Sequence, residues 1–363
     1  MTSPATRTPP RAAVILGGLA ATVIVLAGLY AASWLFAPLF LSLVIVIAIS
    51  PVASWLRRHS VPSWIASTVL ILMAYAIILA LVAVLAVSIA QLAALLPSYV
   101  GRANELINEL SSTLARFGVT PDQIRTAVSG IDIGSVLSYV GTLLATATNV
   151  GSNLVFLLSL LFFVSLETSS MSARRTALTL DRPVVADVIT TFLRDTRRYL
   201  IVNTIFGAAV AILDTIALVF LGIPLPLVWG LVSFLTNYIP NIGPFLAIVP
   251  PALLALLTGG WQLMVVVIGV YLVINFILQT VVQPRVVGDA IGLSPLVTFL
   301  SVVLWGWVLG PIGALMAVPM TLLCKALFVD LDPKASWVRA MLASEQALSA
   351  PGTDPPRTDK DRV

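Results

Sequence analysis

The sequence predicts an all-α polytopic membrane protein with about eight transmembrane helices, and three observations carry that reading. Of 363 residues, 59% are hydrophobic and 10% charged, with a mean hydropathy of +1.04. Soluble domains average about 25% charged residues, and no soluble core could absorb the excess. The apolar residues form runs long enough to cross a bilayer, which takes about 20 residues, range about 17–25. One run is interrupted, with Thr236 to Pro251 reading T-N-Y-I-P-N-I-G-P-F-L-A-I-V-P-P. Pro240, Pro244, Pro250 and Pro251 each lack a backbone N–H and displace the carbonyl one turn earlier; Gly243 loosens the same turn. Broken helix at membrane depth survives only where protein or a water-filled cavity covers it, and transporters place such breaks at their binding sites.

In chain order, residues 1–11 (M-T-S-P-A-T-R-T-P-P-R) are polar and Pro-rich. Candidate spans follow at 12–35, 38–55 and 63–91, then at 141–166, 199–222, 228–257, 261–283 and 295–328. The first run is longer than the apolar core of a signal peptide, about 7–15 residues, and leads straight into another, so it reads as an uncleaved span. Residues 329–363 form a polar tail, disordered in character from Pro351 onward. Arg7, Arg11, Arg57 and Arg58 flank the first two spans. Arg174, Arg175, Arg182, Arg194, Arg197 and Arg198 lie between the fourth and fifth, and Lys325, Lys334 and Arg339 lie at or beyond the last. Eight spans put all of them on one side, which predicts a cytoplasmic-membrane protein with both termini in the cytoplasm. Basic residues distributed in this way, for a net charge of +4, do not indicate a nucleic-acid partner.

Between the third and fourth spans, residues 92–140 form the extracytoplasmic segment. Val100, Ala103, Leu106, Ile107, Leu110, Leu114 and Phe117 share one helical face, with Asn104, Glu105, Asn108, Glu109 and Arg116 around it. A surface helix and a substrate gate both fit. Thr120-Pro121 starts a second helix. Gly134, Ser138, Gly141, Ala145, Asn149 and Ser152 recur at spacings of three and four, a pattern that favours close helix packing and makes homo-oligomerisation an expectation. The segment 167–198 is an Arg-rich cytoplasmic linker, in which Asp181 caps a helix beginning at Pro183.

Residues 199–328 form the expected transport core and contain an internal echo. Tyr199-Leu-Ile-Val-Asn203 recurs as Tyr271-Leu-Val-Ile-Asn275, Pro226-Leu-Val as Pro295-Leu-Val, Pro250 as Pro319, and Gly243-Pro244 loosely as Gly310-Pro311. Transporters are commonly built from such repeats, although small apolar alphabets also match by chance. The copies would be parallel if 228–257 spans the membrane and inverted if it is re-entrant.

Polar residues inside these runs mark candidate chemistry. Asp214 lies beyond the middle of the fifth span, where a carboxylate costs about 2.5–3.5 kcal/mol on insertion scales and faces a cavity or a partner. It shares a face with Asn203, Gly207 and Val210; proton or cation exchange and the fastening of two spans are the alternatives. Asn275, Gln279 and Gln283 form a stripe before the break at Pro284, Arg285, Gly288 and Asp289. Arg285 could bind an oxygen-rich solute bidentately or pair with Asp289. Asn237, Tyr238 and Asn241 offer hydrogen bonds beside the Pro240 break, where the freed Thr236 carbonyl is a further acceptor. Cys324 is alone, so no intramolecular disulfide forms; the one histidine, His59, sits beside Arg57 and Arg58, an unpromising metal ligand. The chain contains no G-x-x-x-x-G-K-[ST], H-E-x-x-H or G-x-S-x-G sequence. A non-enzyme without cofactor or metal is expected.

Three stretches carry a family likeness. They are I-L-D-T-I-A-L from Ile212 to Leu218, N-Y-I-P-N-I-G-P from Asn237 to Pro244, and the run from Pro284 to Met320 containing W-G-W-V-L-G-P-I-G-A-L-M-A-V-P. Together they resemble the autoinducer-2 exporter family, most strongly over 195–328. The resemblance implies a multi-span inner-membrane exporter of the furanosyl signal autoinducer-2, with a place in quorum sensing; some members are described as sodium/proton antiporters. Many members carry an acidic residue before the Pro-Arg step, where this chain has Gln283, so any coupling role shifts toward Asp214. The expectation is therefore a lipid-embedded transporter of a small polar organic solute. Its path would be lined by Asn203, Asp214, Asn237, Tyr238, Asn241, Asn275, Gln279, Gln283 and Arg285, with Pro240, Gly243, Pro244 and Pro284 as hinges. A sodium or proton antiporter using Asp214 and a non-transport membrane scaffold are the alternatives.

Overall fold

The computed structural model describes residues 11–99, 154–167, 171–287 and 292–332, with scattered positions in 101–112 and 335–342. Most of the amphipathic stretch Tyr99–Phe117, the Thr120-Pro121 helix start, the small-residue face Gly134–Ser152 and the Arg285–Asp289 pairing lie outside the described residues. Every regular element among those described is a helix. They are α1 (Arg11–Ala31), α2 (Ser33–Arg58), α3 (Ser63–Leu95), α4 (Leu154–Glu167), α5 (Met171–Asp181), α6 (Pro183–Phe220), α7 (Pro226–Thr236), α8 (Gly243–Asn275), α9 (Gln283–Val287), α10 (Pro295–Leu315) and α11 (Ala317–Lys325). The broad apolar exposure on these helices, for example Val23, Ile24, Leu72 and Val219, is the signature of a surface that meets lipid rather than water.

Helices α2, α3 and α4 pack through Val46, Ile49 and Ala53 against Ala66, Leu70, Ala74 and Ile78, with Leu161 from α4 completing the cluster. The four-residue spacing in α3 is one helix face. Helix α2 continues through Pro51, whose missing N–H leaves the Ile47 carbonyl without its helical donor. Ser50 Oγ donates to that carbonyl at 2.9 Å and Arg197 Nε at 3.4 Å, while Arg197 Nη2 donates to Ser50 Oγ at 2.8 Å. The proline thus creates the acceptor that ties α6 to α2.

Helix α6 begins at Pro183 and runs 38 residues without a stop, joining the expected linker helix to the fifth span. Asp181 is not its cap. It closes α5, and Arg182 occupies the cap position without a side-chain bond.

The expected span 228–257 is a helical hairpin. Helix α7 has 11 residues, about 16 Å at 1.5 Å per residue, too short for a hydrocarbon core of about 30 Å. It runs back along α6, with Gly230 pressed so closely against Thr215 and the Ala211 carbonyl that a Cβ would not fit. The chain turns through Asn237–Ile242 and returns as the first part of α8, whose Ala247, Ile248, Ala252 and Ala255 join Leu218, Val228 and Trp229 in one core. Pro240 lies in the turn and Asn241 takes φ 64° there, a left-handed conformation that Asn tolerates. Gly243 and Pro244 start the return arm instead of bending a continuous span, and α8 passes through Pro250 and Pro251 unbroken. The Thr236 carbonyl accepts from the Ile239 N–H at 2.8 Å, so the turn itself takes up the acceptor expected to face solute.

At Gly260 (φ 76°, ψ −171°) the direction reverses again. The following helix continues from 261 through a π-helical stretch, Phe276–Val282, into α9. It runs antiparallel to α6, because Tyr271 faces Asp214 and Gln279 reaches the level of Asn203.

The expected single span 295–328 is a second hairpin. Ser294 caps α10 by accepting from the Val297 N–H at 3.3 Å, with Pro295 at the first position. Gly310 adopts φ 72° and ψ −156°, close to the Gly260 geometry and outside the range of other residues. Beyond it the chain doubles back. Trp305 Nε1 donates to Thr321 Oγ1 at 3.1 Å, across a separation that would be about 24 Å on a straight helix. Gly313 lies on the Trp305 carbonyl where no Cβ would fit. The second hairpin packs on α1, α2 and α6, with Tyr30 and Trp307 stacked at 5.7 Å.

The chain thus contains a long helix (α6) followed by a hairpin, then a long helix (261–287) followed by a hairpin. Because the two long helices are antiparallel and each connection is short, the hairpins start from opposite ends of the bundle.

Candidate functional site

The first hairpin's tip gathers polar side chains from three elements. Asn237, at the end of α7, donates through Nδ2 to the Asn203 carbonyl of α6 at 3.2 Å. Gln279, in the π-helical stretch, donates through Nε2 to Asn237 Oδ1 at 2.9 Å and to Asn275 Oδ1 at 2.8 Å. Asn275 Nδ2 donates to the Tyr271 carbonyl at 2.8 Å. Tyr238 bonds Thr204 of α6 through its hydroxyl at 2.6 Å, and its carbonyl accepts from the Tyr199 hydroxyl at 2.8 Å. Five of the nine expected path residues therefore meet at the tip: Asn237, Asn275 and Gln279 through their side chains, Asn203 through its backbone carbonyl, and Tyr238 through bonds to α6. The local reason is visible in the chain: Pro284 cannot donate to the Thr280 carbonyl, and the wider π turn just before it relieves that conflict while carrying Gln279. Such turns recur at functional positions.

The other expected residues stand elsewhere. Asn241 is exposed in the turn, Gln283 is half-buried, and Arg285 and Pro284 are exposed on α9; among the described residues no hydrogen bond joins them to the amide cluster. Asp214 sits about three turns along α6 from Asn203 on one buried stripe with Val210. Its carboxyl is fully buried, and the Ser233 hydroxyl of α7 faces both it and the Tyr271 hydroxyl of α8. None of these four side-chain oxygens has a well-formed hydrogen-bond partner among the described residues.

Sequence reasoning did not single out Ser233, Tyr271, Thr204 or Tyr199 as site residues. Two signals pointed that way: Tyr199 and Tyr271 open the two echoed pentapeptides, and Ser233 lies one turn before Asn237. Among the described residues no group of three or more His, Cys, Asp or Glu is placed to hold a metal ion.

Pro- and Gly-broken hairpins around an intramembrane polar cluster are an architecture that membrane transport proteins use. The chain belongs to the AI-2E transporter family, whose profile matches residues 19–331. It is 31% identical over 315 residues to the AI-2 transport protein TqsA of Escherichia coli (strain K12), covering 86% of this chain and 90% of that one. It is also 28% identical over 314 residues to YhhT of the same strain, provisionally named a transport protein, covering 86% of this chain and 89% of that one.

Proposed function

We propose that this protein exports a small polar organic solute across the cytoplasmic membrane, with an autoinducer-2-like molecule as the first candidate. The observation that carries the reading is the cluster of Asn203, Asn237, Tyr238, Asn275 and Gln279 on the first hairpin's tip. Amides and hydroxyls in an otherwise apolar core can exchange bonds with one another for bonds to a polyhydroxylated solute, which keeps the desolvation cost of the solute low. The relative's name, AI-2 transport protein, supports the solute class. Each hairpin returns to the end it left, so neither counts as a crossing. Basic residues at the end of α2 and at the α5–α6 junction favour a cytoplasmic placement of those ends. The first hairpin then enters from outside and the second from the cytoplasm, an arrangement suited to alternating access.

The test is autoinducer-2 retention in cells lacking their own exporters. Wild type should lower the retained signal, and Gln279→Ala, which deletes two hydrogen bonds of about 0.5–1.5 kcal/mol each, should slow export about tenfold. Retention unchanged by wild type sinks the solute assignment. Wild-type rates in Gln279→Ala and in the Pro240→Ala, Pro244→Ala double variant would remove the hairpin tip from the path.

A further inference from the structure

We propose that Asp214, Ser233 and Tyr271 form a proton-operated latch that fastens the first hairpin to α6 and α8. The three side chains come from the two long helices and from the hairpin arm between them. Asp214 and Tyr271 have no exposed surface and Ser233 is 2% exposed. Both carboxyl oxygens and both hydroxyls lack a well-formed hydrogen-bond partner among the described residues, although the Ser233 hydroxyl faces the other two groups. Tyr271 is the titratable neighbour, and among the described residues no Lys, Arg, His or second carboxylate faces the site.

Four mutually unsatisfied oxygens are an unfavourable arrangement, because each buried polar group left unpaired costs about 1–3 kcal/mol. One proton resolves it. A neutral Asp214 donates its O–H to Ser233 Oγ, and the Ser233 hydroxyl, which faces both groups, links it to the Tyr271 hydroxyl. No counter-cation is needed, and none is supplied by the surrounding side chains. When the proton leaves, an unpaired carboxylate remains in a fully buried site, and a buried charge of that kind is relieved by opening the site. The mobile partner is α7, which is short, tethered by turns at both ends, and carries Asn237 and Tyr238 at its tip. Proton occupancy therefore holds the tip against α6, and deprotonation frees it. The latch stands on these residues alone; its use to couple solute movement to protons rests on the transport reading above.

The experiment uses the full chain in lipid nanodiscs. The infrared C=O stretch of a neutral carboxyl is titrated with pH, and amide hydrogen exchange across 226–242 is followed over the same range. Exchange is expressed relative to Asp214→Asn, a fixed neutral mimic, so that the intrinsic pH dependence of exchange cancels. The expected result is a carboxyl band that disappears as pH rises and is absent in Asp214→Asn. Relative exchange of the wild-type hairpin should climb in step with that loss, and Ser233→Ala and Tyr271→Phe should shift its midpoint. A band insensitive to pH, or equal exchange in wild type and Asp214→Asn throughout, overturns the latch. Exchange that follows sodium concentration at fixed pH overturns it as well. If Asp214→Asn does not fold, the midpoints of Ser233→Ala and Tyr271→Phe against wild type decide, and unshifted midpoints count against the proposal. Solute flux into vesicles separates the two readings: a titrating latch without flux sinks transport alone, and flux without titration sinks the latch alone.

Discussion

Arg197 shows how one side chain can answer a backbone defect made elsewhere. Its guanidinium serves the Ile47 carbonyl that Pro51 leaves without a helical donor, and it holds the Ser50 hydroxyl in the same place. Replacement by Met keeps the length and removes the donors. Arg197→Met should lower stability by about 1–3 kcal/mol, read as a drop in the thermal midpoint of the detergent-solubilised protein. Gly313 is a second such point, since any side chain meets the Trp305 carbonyl. Gly313→Val should cost about 1–3 kcal/mol by overpacking, whereas Gly269→Ala, with open space around it, should be neutral in the same measurement. At this scale Asn275 and Gln279 were legible because amides at four-residue spacing stand out in an apolar run. Ser233 and Tyr271 were not, because Ser and Tyr are ordinary residues of membrane helices and their meaning comes only from what faces them.

Hydropathy reads continuity of composition, and a hairpin turned by one glycine leaves composition unbroken. That is why 295–328 looked like a single span while Gly310 folds it in two. The first hairpin was easier to suspect, because its turn contains Asn237, Pro240 and Asn241 in place of apolar residues. The second hairpin makes a sharp prediction. A Cβ built on Gly306 lies 3.5 Å from the Ala314 Cβ, within the range of a disulfide, while a straight helix would part the two positions by about 12 Å. In a Cys324→Ala background, Gly306→Cys with Ala314→Cys should oxidise to an intramolecular bond detectable by mass spectrometry. Failure to form it under mild oxidant would return the segment to a straight span.

For the whole molecule, two of the expected spans are hairpins that return to the end they left. The relation between the echoed halves, which the sequence left as parallel or inverted, is inverted. The antiparallel course of α6 and 261–287 was not visible in residue matches, which carry no direction across the membrane; it follows from Gln279 meeting Asn237 and Tyr271 facing Asp214. Impermeant thiol labelling should separate the two arrangements. With Cys324→Ala as background, a cysteine at Gly222, beside the first hairpin's base, should react from outside, and one at Ser294, beside the second's, only after the membrane is opened. Reaction of both from the same side would rule out the inverted layout. The π-helical stretch Phe276–Val282 adds a consequence for how such a chain can vary. A wide turn holds one residue more than an α-helix needs, so deleting a single residue there would leave a regular helix with the parts beyond it scarcely rotated. Gln279, carried on the wide turn itself, would lose its reach to Asn237 while the hydropathy profile scarcely changed. One codon's loss could therefore silence the tip without disturbing insertion into the membrane.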